Sequence, residues 1–235
     1  MSQQSLAPRD NFLLAHLPGE ELELLRPHMQ QVQLSHGDRI IVPHVPIKEV
    51  YFPLNCLLSM VTTMEDGASV ESGTIGREGM SGVPVLLDAA ETAMPTFVQI
   101  PGEAVRLPAS MVKELYERGG GLKEILNRYI HTVIVVGSQS TACNRLHHIE
   151  ARLARWLLMS SDGIGSNELN ITHEYLAVML GVRRAGVSEA AAKLQDNNLI
   201  RYNRGTVWIL EREQLEAYAC ECYRVVRAEY KRVIS

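Results

Sequence analysis

Apolar and polar positions along this chain change their period twice. Over residues 11–33, Leu22, Leu25 and Met29 follow Pro18-Gly19 at helical spacing, which predicts a short helical lead-in. From residue 34 to 108 the apolar runs shorten and are broken by turn pairs at Gly37-Asp38, Asp66-Gly67 and Pro101-Gly102, a pattern that predicts several short strands in a β-sandwich or barrel. After Pro108 the period becomes helical and stays so. Past the glycines at 119–121, residues Leu122, Leu126, Tyr129, Val133, Val136, Ser140 and Cys143 alternate spacings of four and three, a heptad seam over about 122–144. Such a seam either packs on its own sheet or forms a parallel coiled-coil dimer; the dimer is the expectation taken forward. A further amphipathic helix begins near Glu150, with Leu153, Trp156 and Leu157 on its apolar face. The stretch "SDGIGSNEL" reads as a loop.

The pattern sharpens in "NITHEYLAVMLGVRRAGVSEAAAKLQDNNLIRYNRGTVWIL". Thr172 is placed to cap a helix with Glu174 in its first turn, Leu176, Met179 and Leu180 form its buried stripe, and Gly181 stands where the chain must turn. A second helix follows with Val187, Ala190, Ala191 and Leu194 on its inner side; this is a helix-turn-helix arrangement. Its outward residues at the start are Arg183, Arg184, Ala185, Ser188 and Glu189, with Lys193 farther along. DNA-reading helices contact base edges through their N-terminal residues, where arginine pairs with guanine and glutamate accepts from cytosine. Beyond Ile200 a hairpin around Asn203-Arg204-Gly205 makes a wing that sets Arg201 and Arg204 against phosphates.

Charge supports this division. The 235 residues carry a net −4, but 1–144 hold 10 Lys/Arg against 16 Asp/Glu and 145–235 hold 13 against 11. The C-terminal part is therefore the one suited to nucleic acid. No apolar run approaches a membrane span and the start lacks a signal-peptide layout, so the expected location is the cytoplasm. The four cysteines do not make a disulfide scaffold, and Cys220 and Cys222 stand too close in sequence for an ordinary zinc knuckle; they are expected to be buried or incidental thiols, with no metal. No nucleophile elbow, P-loop or HExxH pattern points to an enzyme, and no catalytic residue is expected.

These residues resemble the Crp/Fnr superfamily of bacterial transcription regulators, in order as well as in motif. "ITHEYLAVMLGVRRAGVSEAAAKLQDNNLI" is similar to the family's DNA-binding signature, and "GREGMSGVPVLL" looks like the Gly-rich stretch of its sensory barrel. The resemblance implies an α+β chain: an N-terminal antiparallel β-barrel or jelly roll of cyclic-nucleotide-binding type with a dimerisation helix over 1–144, then a winged helix-turn-helix over 145–235. It implies a homodimer on an inverted repeat of double-stranded DNA and, for an activator, contact with RNA polymerase. The implied effector pocket is Gly76, Arg77, Glu78, Gly79, Met80, Ser81 and Gly82. Nucleotide-binding members place a glutamate where Gly82 stands and an arginine about ten residues later; between Arg77 and Arg106 this chain has neither Arg nor Lys. A buried phosphodiester needs a cation, so cyclic AMP is not expected, and no other cofactor is predicted. The reading helix departs too: Arg184 matches the first arginine of the family's Arg-Glu-x-x-x-Arg pattern, while Ala185 and Glu189 replace the other two residues. A half-site other than TGTGA is expected. The rival is a regulatory module that works through ligand or protein contacts without DNA.

Overall fold

The computed structural model describes residues 7–234. Two short helices, α1 (Phe12–Ala15) and α2 (Gly19–Leu25), precede strands β1 (Gln30–Leu34), β2 (Arg39–Ile41), β3 (Glu49–Pro53), β4 (Leu57–Thr63) and β5 (Ser69–Ile75). A single helical turn, α3 (Val83–Leu86), leads to β6 (Thr96–Ile100) and β7 (Gly102–Pro108). Helix α4 (Ala109–Arg118) and the long α5 (Gly121–Leu146) complete the N-terminal part. Then come α6 (Ile149–Ile164), β8 (Glu168–Asn170), α7 (His173–Leu180), α8 (Arg184–Asp196), β9 (Ile200–Asn203), β10 (Thr206–Ile209), α9 (Arg212–Tyr218) and α10 (Cys222–Val233).

The N-terminal strands make two antiparallel sheets, ordered β1-β7-β3 and β2-β6-β4-β5. They face each other, because Leu34 and Ala104 of the first share one apolar cluster with Leu58, Ile75 and Val98 of the second. The outer side of β3 and β7 is covered by α1, α2, α4 and the first half of α5, with Phe52, Leu107, Leu122 and Leu126 fully buried. Burying a leucine side chain contributes about 1.5–3 kcal/mol, so this half of α5 is anchored by its own sheet.

That anchoring corrects the expected seam. Leu122, Leu126, Tyr129, Val136, Ser140 and Cys143 are all buried inside one protomer, and Val133 is half-buried. Tyr129 donates to the Met80 carbonyl at 3.1 Å, and α10 lies along the second half of α5. The heptad signal was real, but it marks a helix packed on its own chain. The face of α5 turned to solvent carries Ile134, 64% exposed, with Ser138, Thr141 and Ala142.

A second correction concerns "SDGIGSNEL". Helix α6 runs through it to Ile164, and Glu168–Asn170 pairs with β10 as a third strand of the wing. Gly163 permits the continuation, because its backbone lies against Gly76 so closely that a Cβ on Gly76 would overlap it. Among the described residues no helix is long and apolar enough to cross a membrane.

Candidate nucleic-acid interface

Helix α7 starts at Thr172, whose hydroxyl accepts from the Tyr175 N–H at 3.3 Å. It ends at Gly181, with φ +61°, where the Val182 N–H returns to the Ala177 carbonyl at 2.9 Å. Only glycine takes this left-handed bend cheaply, and the bend aims α8 across α7. Val187, Ala190, Ala191 and Leu194 are buried on the inner side of α8, and the small alanines bring it close to its neighbours.

The opposite face is open. Arg183, Arg184, Ala185, Glu189 and Lys193 are exposed, and Ser188 is half-buried. Arg184 Nε lies 2.6 Å from Glu174 Oε1, so the helix of the cap and the helix of the arginine are joined by a surface ion pair. Ser188 Oγ sits 3.2 Å from the Arg184 carbonyl and 3.0 Å from His173 Nδ1, while His173 stacks on Tyr202 of the wing at 4.2 Å. Burial and the adjacent Arg184 hold His173 below the usual imidazole range. Lys193 pairs with Glu150.

The wing is a two-residue hairpin: Arg204 and Gly205 both take positive φ, +47° and +86°, between β9 and β10. Such a turn matches the right-handed twist of its strands. Arg204 stands exposed at the tip, and the Arg201 guanidinium lies 4.6 Å over the Trp208 ring. Arg183, Arg184, Arg201 and Arg204 are all exposed, and the contacts Ser188–His173–Tyr202 tie α8 to the wing that carries Arg201 and Arg204.

The unit is docked on the sheets. Leu57, Val61 and Ile100 of the sheets join its core, and Tyr175 Oη lies 2.6 Å from His36 Nε2. Trp156 Nε1 donates to Glu71 at 2.9 Å. None of these contacts was legible in the sequence, since each joins residues more than 50 positions apart.

The expected effector pocket divides. Met80 and Gly82 line an apolar cavity of 390 Å³ with Ile41, Met60, Ile130 and Val133. Arg77 and Glu78 do not reach it; they line a separate cleft of 180 Å³ beside Phe12 and Tyr230. Arg77 Nε donates to the Asp162 carbonyl at 3.0 Å and its guanidinium lies 5.0 Å from the Phe12 ring centre. Glu78 folds back to accept from the Gly76 N–H at 3.0 Å, and burial pushes it up to about 7. Gly79 packs against the Tyr129 ring, and Ser81 Oγ accepts from the Tyr51 N–H at 2.9 Å. This segment therefore joins the sheets to α6 and α1, and its residues do not share one pocket: Met80 and Gly82 face the apolar cavity, while Arg77 and Glu78 face the cleft. Among the described residues the apolar cavity has no Lys or Arg in its lining; Glu91 is its one charge.

The thiols are free and buried, and three of them lie together. Cys143, Cys220 and Cys222 are buried together, and His147 joins them, with the four donor atoms all within 4.8 Å of one another. His147 caps the end of α5, its N–H donating to the Cys143 carbonyl at 3.1 Å, which places it beside Cys143.

Comparison with known proteins bears on the same unit. Residues 151–218 match the Crp-like helix-turn-helix domain. No curated protein matches the chain. Similar solved structures include a chain described as a transcriptional regulator of the crp/fnr family from Eubacterium rectale, at 18% identity over 89% of this chain and 98% of that one, TM-score 0.66. FixK2 from Bradyrhizobium japonicum is similar at 12% identity, over 82% and 98%, TM-score 0.67. A CRP-family transcriptional regulator from Thermus thermophilus is similar at 20% identity, over 80% and 96%, TM-score 0.62. At these identities the likeness is one of fold, and it spans the sheets as well as the winged unit.

Proposed function

We propose that this chain, a DNA-binding transcription regulator with the fold of Crp/Fnr regulators and a Crp-like helix-turn-helix domain at residues 151–218, works as a homodimer on an inverted-repeat operator whose half-site differs from TGTGA. The observation that carries the reading is the N-terminal end of α8, where Arg183, Arg184, Ala185 and Glu189 are exposed, Ser188 is half-buried, and the Ser188–His173–Tyr202 contacts tie the helix to the wing. Arg184 takes a guanine edge, Arg183, Arg201 and Arg204 take phosphates with Lys193 behind them, and Thr172 orients the helix pair by its cap. Glu189, in place of an arginine, favours cytosine and rejects the phosphate-rich approach a cation would accept.

Dimerisation is assigned to the stripe Ile130, Ile134, Gly137 and Thr141 of α5, of which Ile134 and Thr141 are exposed and Ile130 and Gly137 half-buried. Their spacing of four, three and four is the heptad geometry, displaced around the helix from the buried seam. Leu87 and Met94, both exposed, extend the patch. In such a dimer the two α8 helices enter successive major grooves roughly 34 Å apart. Residues 1–144 form the sensory part and 145–235 the reading part, in the cytoplasm; an activating role would add RNA polymerase as a partner. The cavity lining supplies no cation for a cyclic phosphate, so the reading excludes cyclic AMP held in that way.

Selection of bound sequences from random duplex DNA with the purified full chain tests this. Enrichment of a two-fold symmetric site, with affinity falling steeply as salt rises, is expected. No enriched sequence and no salt dependence would establish the rival, a regulator that works without DNA.

A further inference from the structure

The three buried thiols and His147 occupy the joint between α5 and α6. Cys143 sits on the last turn of α5 and His147 caps its end; Cys220 and Cys222 flank Glu221 at the start of α10. Cys143 Sγ and Cys220 Sγ are 3.5 Å apart, and Cys222 Sγ is 3.5 Å from His147 Nδ1. On the far side of the ring, His147 Nε2 is 3.2 Å from Glu221 Oε2. Gln139 Nε2 is 3.0 Å from Cys222 Sγ.

A core of packed thiols would require none of this polar arrangement. Around a tetrahedral zinc ion with bonds of about 2.3 Å to sulfur and 2.0–2.1 Å to nitrogen, the ligand atoms stand about 3.6–3.8 Å from one another. Two of the pairs here stand at 3.5 Å, and the rest lie within 4.8 Å, close enough to be drawn onto one ion. An iron–sulfur cluster holds its thiolates around a polynuclear core, and four donors within 4.8 Å leave no room for one. The carboxylate behind the imidazole is the usual outer partner of a metal-bound histidine, and it fixes Nδ1 as the ligating nitrogen. Charge agrees. Three thiolates and one zinc ion carry −1, and Arg152 and Arg155, both buried beside the cluster, each keep an Nε without a hydrogen-bond partner among the described residues. Both arginines act electrostatically on Cys143. Cys222 opens α10, where the helix dipole favours a thiolate.

We propose that Cys143, His147, Cys220 and Cys222 bind one structural zinc ion that fixes α10 to the end of α5. All four positions are filled by the chain, so the ion has no open site for chemistry. Its effect is mechanical: it ties the C-terminal helix to the point where the long helix passes into the reading unit. The inference stands whether or not the chain binds DNA.

Elemental analysis of the full chain, purified without chelator, tests it. One zinc per protomer is expected after exhaustive dialysis, and replacement by cobalt should give the visible spectrum of a tetrahedral thiolate site. Cys220→Ser and Cys222→Ser should lose at least tenfold in zinc affinity, whereas Cys56→Ser, in the core between the sheets, should keep the full complement. Should the serine variants fail to fold, the surface change Glu221→Gln still tests the site, with an expected 10–100-fold weakening. Zinc below a tenth of an equivalent after supplementation, a native Cys143–Cys220 disulfide, or an iron–sulfur spectrum would overturn the proposal.

Discussion

Trp156 Nε1 donates to Glu71 Oε1 at 2.9 Å, and this bond joins α6, the first helix of the C-terminal part, to strand β5. The other carboxyl oxygen accepts from Ser59 Oγ at 2.7 Å. Both partners are neutral, and the group is fully buried. Desolvation therefore dominates and pushes the Glu71 pKa up to about 7, against the pull of the two hydrogen bonds and of Arg155.

The sign of the resulting pH dependence follows from linkage. Glu71 binds its proton more tightly in the folded protein than at the unfolded value of 4.5. Its contribution is thus complete below pH 4.5 and is lost as pH rises to about 7, a span equivalent to about 3 kcal/mol. Glu71→Gln keeps acceptor and donor but cannot ionise. Urea unfolding of both proteins at pH 5 and pH 8 should show the wild type losing stability relative to the variant on going to pH 8. Glu78, which titrates in the same range, cancels in this comparison. Parallel pH profiles would show that Glu71 does not ionise in the folded state.

Arg184→Ala should weaken binding to the selected operator by about 1–3 kcal/mol and relax preference at one base pair. Arg183→Ala, Arg201→Ala or Arg204→Ala should instead weaken binding to all sequences and shallow the salt slope. Gel-shift titrations on operator and random DNA separate the two classes. Equal loss of both with Arg184→Ala would remove its base-reading role.

Glu174 holds Arg184 at 2.6 Å in the free protein, and both side chains are well exposed. An exposed pair is weak, so DNA can take the arginine from it at little cost. Glu174→Gln should raise affinity for operator and random DNA alike, by no more than about fivefold, with the gain shrinking at high salt. A fall in affinity would mean that Glu174 itself contacts the DNA.

Local signals made the reading unit legible in the sequence, because its features are short-range. A threonine cap, a glycine bend and the Arg204-Gly205 turn each act within a few residues. Burial by distant partners was not legible. The period of α5 told that one face is covered, but a period cannot name the cover, and the cover is the chain's own sheet and α10. The cluster of Cys143, Cys220 and Cys222 was not legible for the same reason: Cys143 and Cys220 are 77 positions apart, and only the packing of α10 on α5 brings them together. At the end of α6, Gly163 and the cap Gly165 gave a loop signal, yet Gly163 packs against Gly76, just past β5.

The two faces of α5 make opposite predictions. Ile134 is exposed in the protomer, and a lysine there leaves the fold intact while placing a charge in the proposed helix–helix contact. Ile134→Lys should therefore shift sedimentation from dimer to monomer with an unchanged far-UV spectrum and melting temperature set by the protomer. Val136 is buried beside Glu71 and Trp156. Lysine there brings an ammonium group into a packed interior, which destabilises by several kcal/mol unless Glu71 ionises to meet it. Val136→Lys should accordingly lower the melting temperature, and lower it less at pH 8 than at pH 5, where Glu71 is protonated. If Ile134→Lys stays dimeric while Val136→Lys folds normally as a monomer, the buried seam is the true interface and the protomer must open to form it.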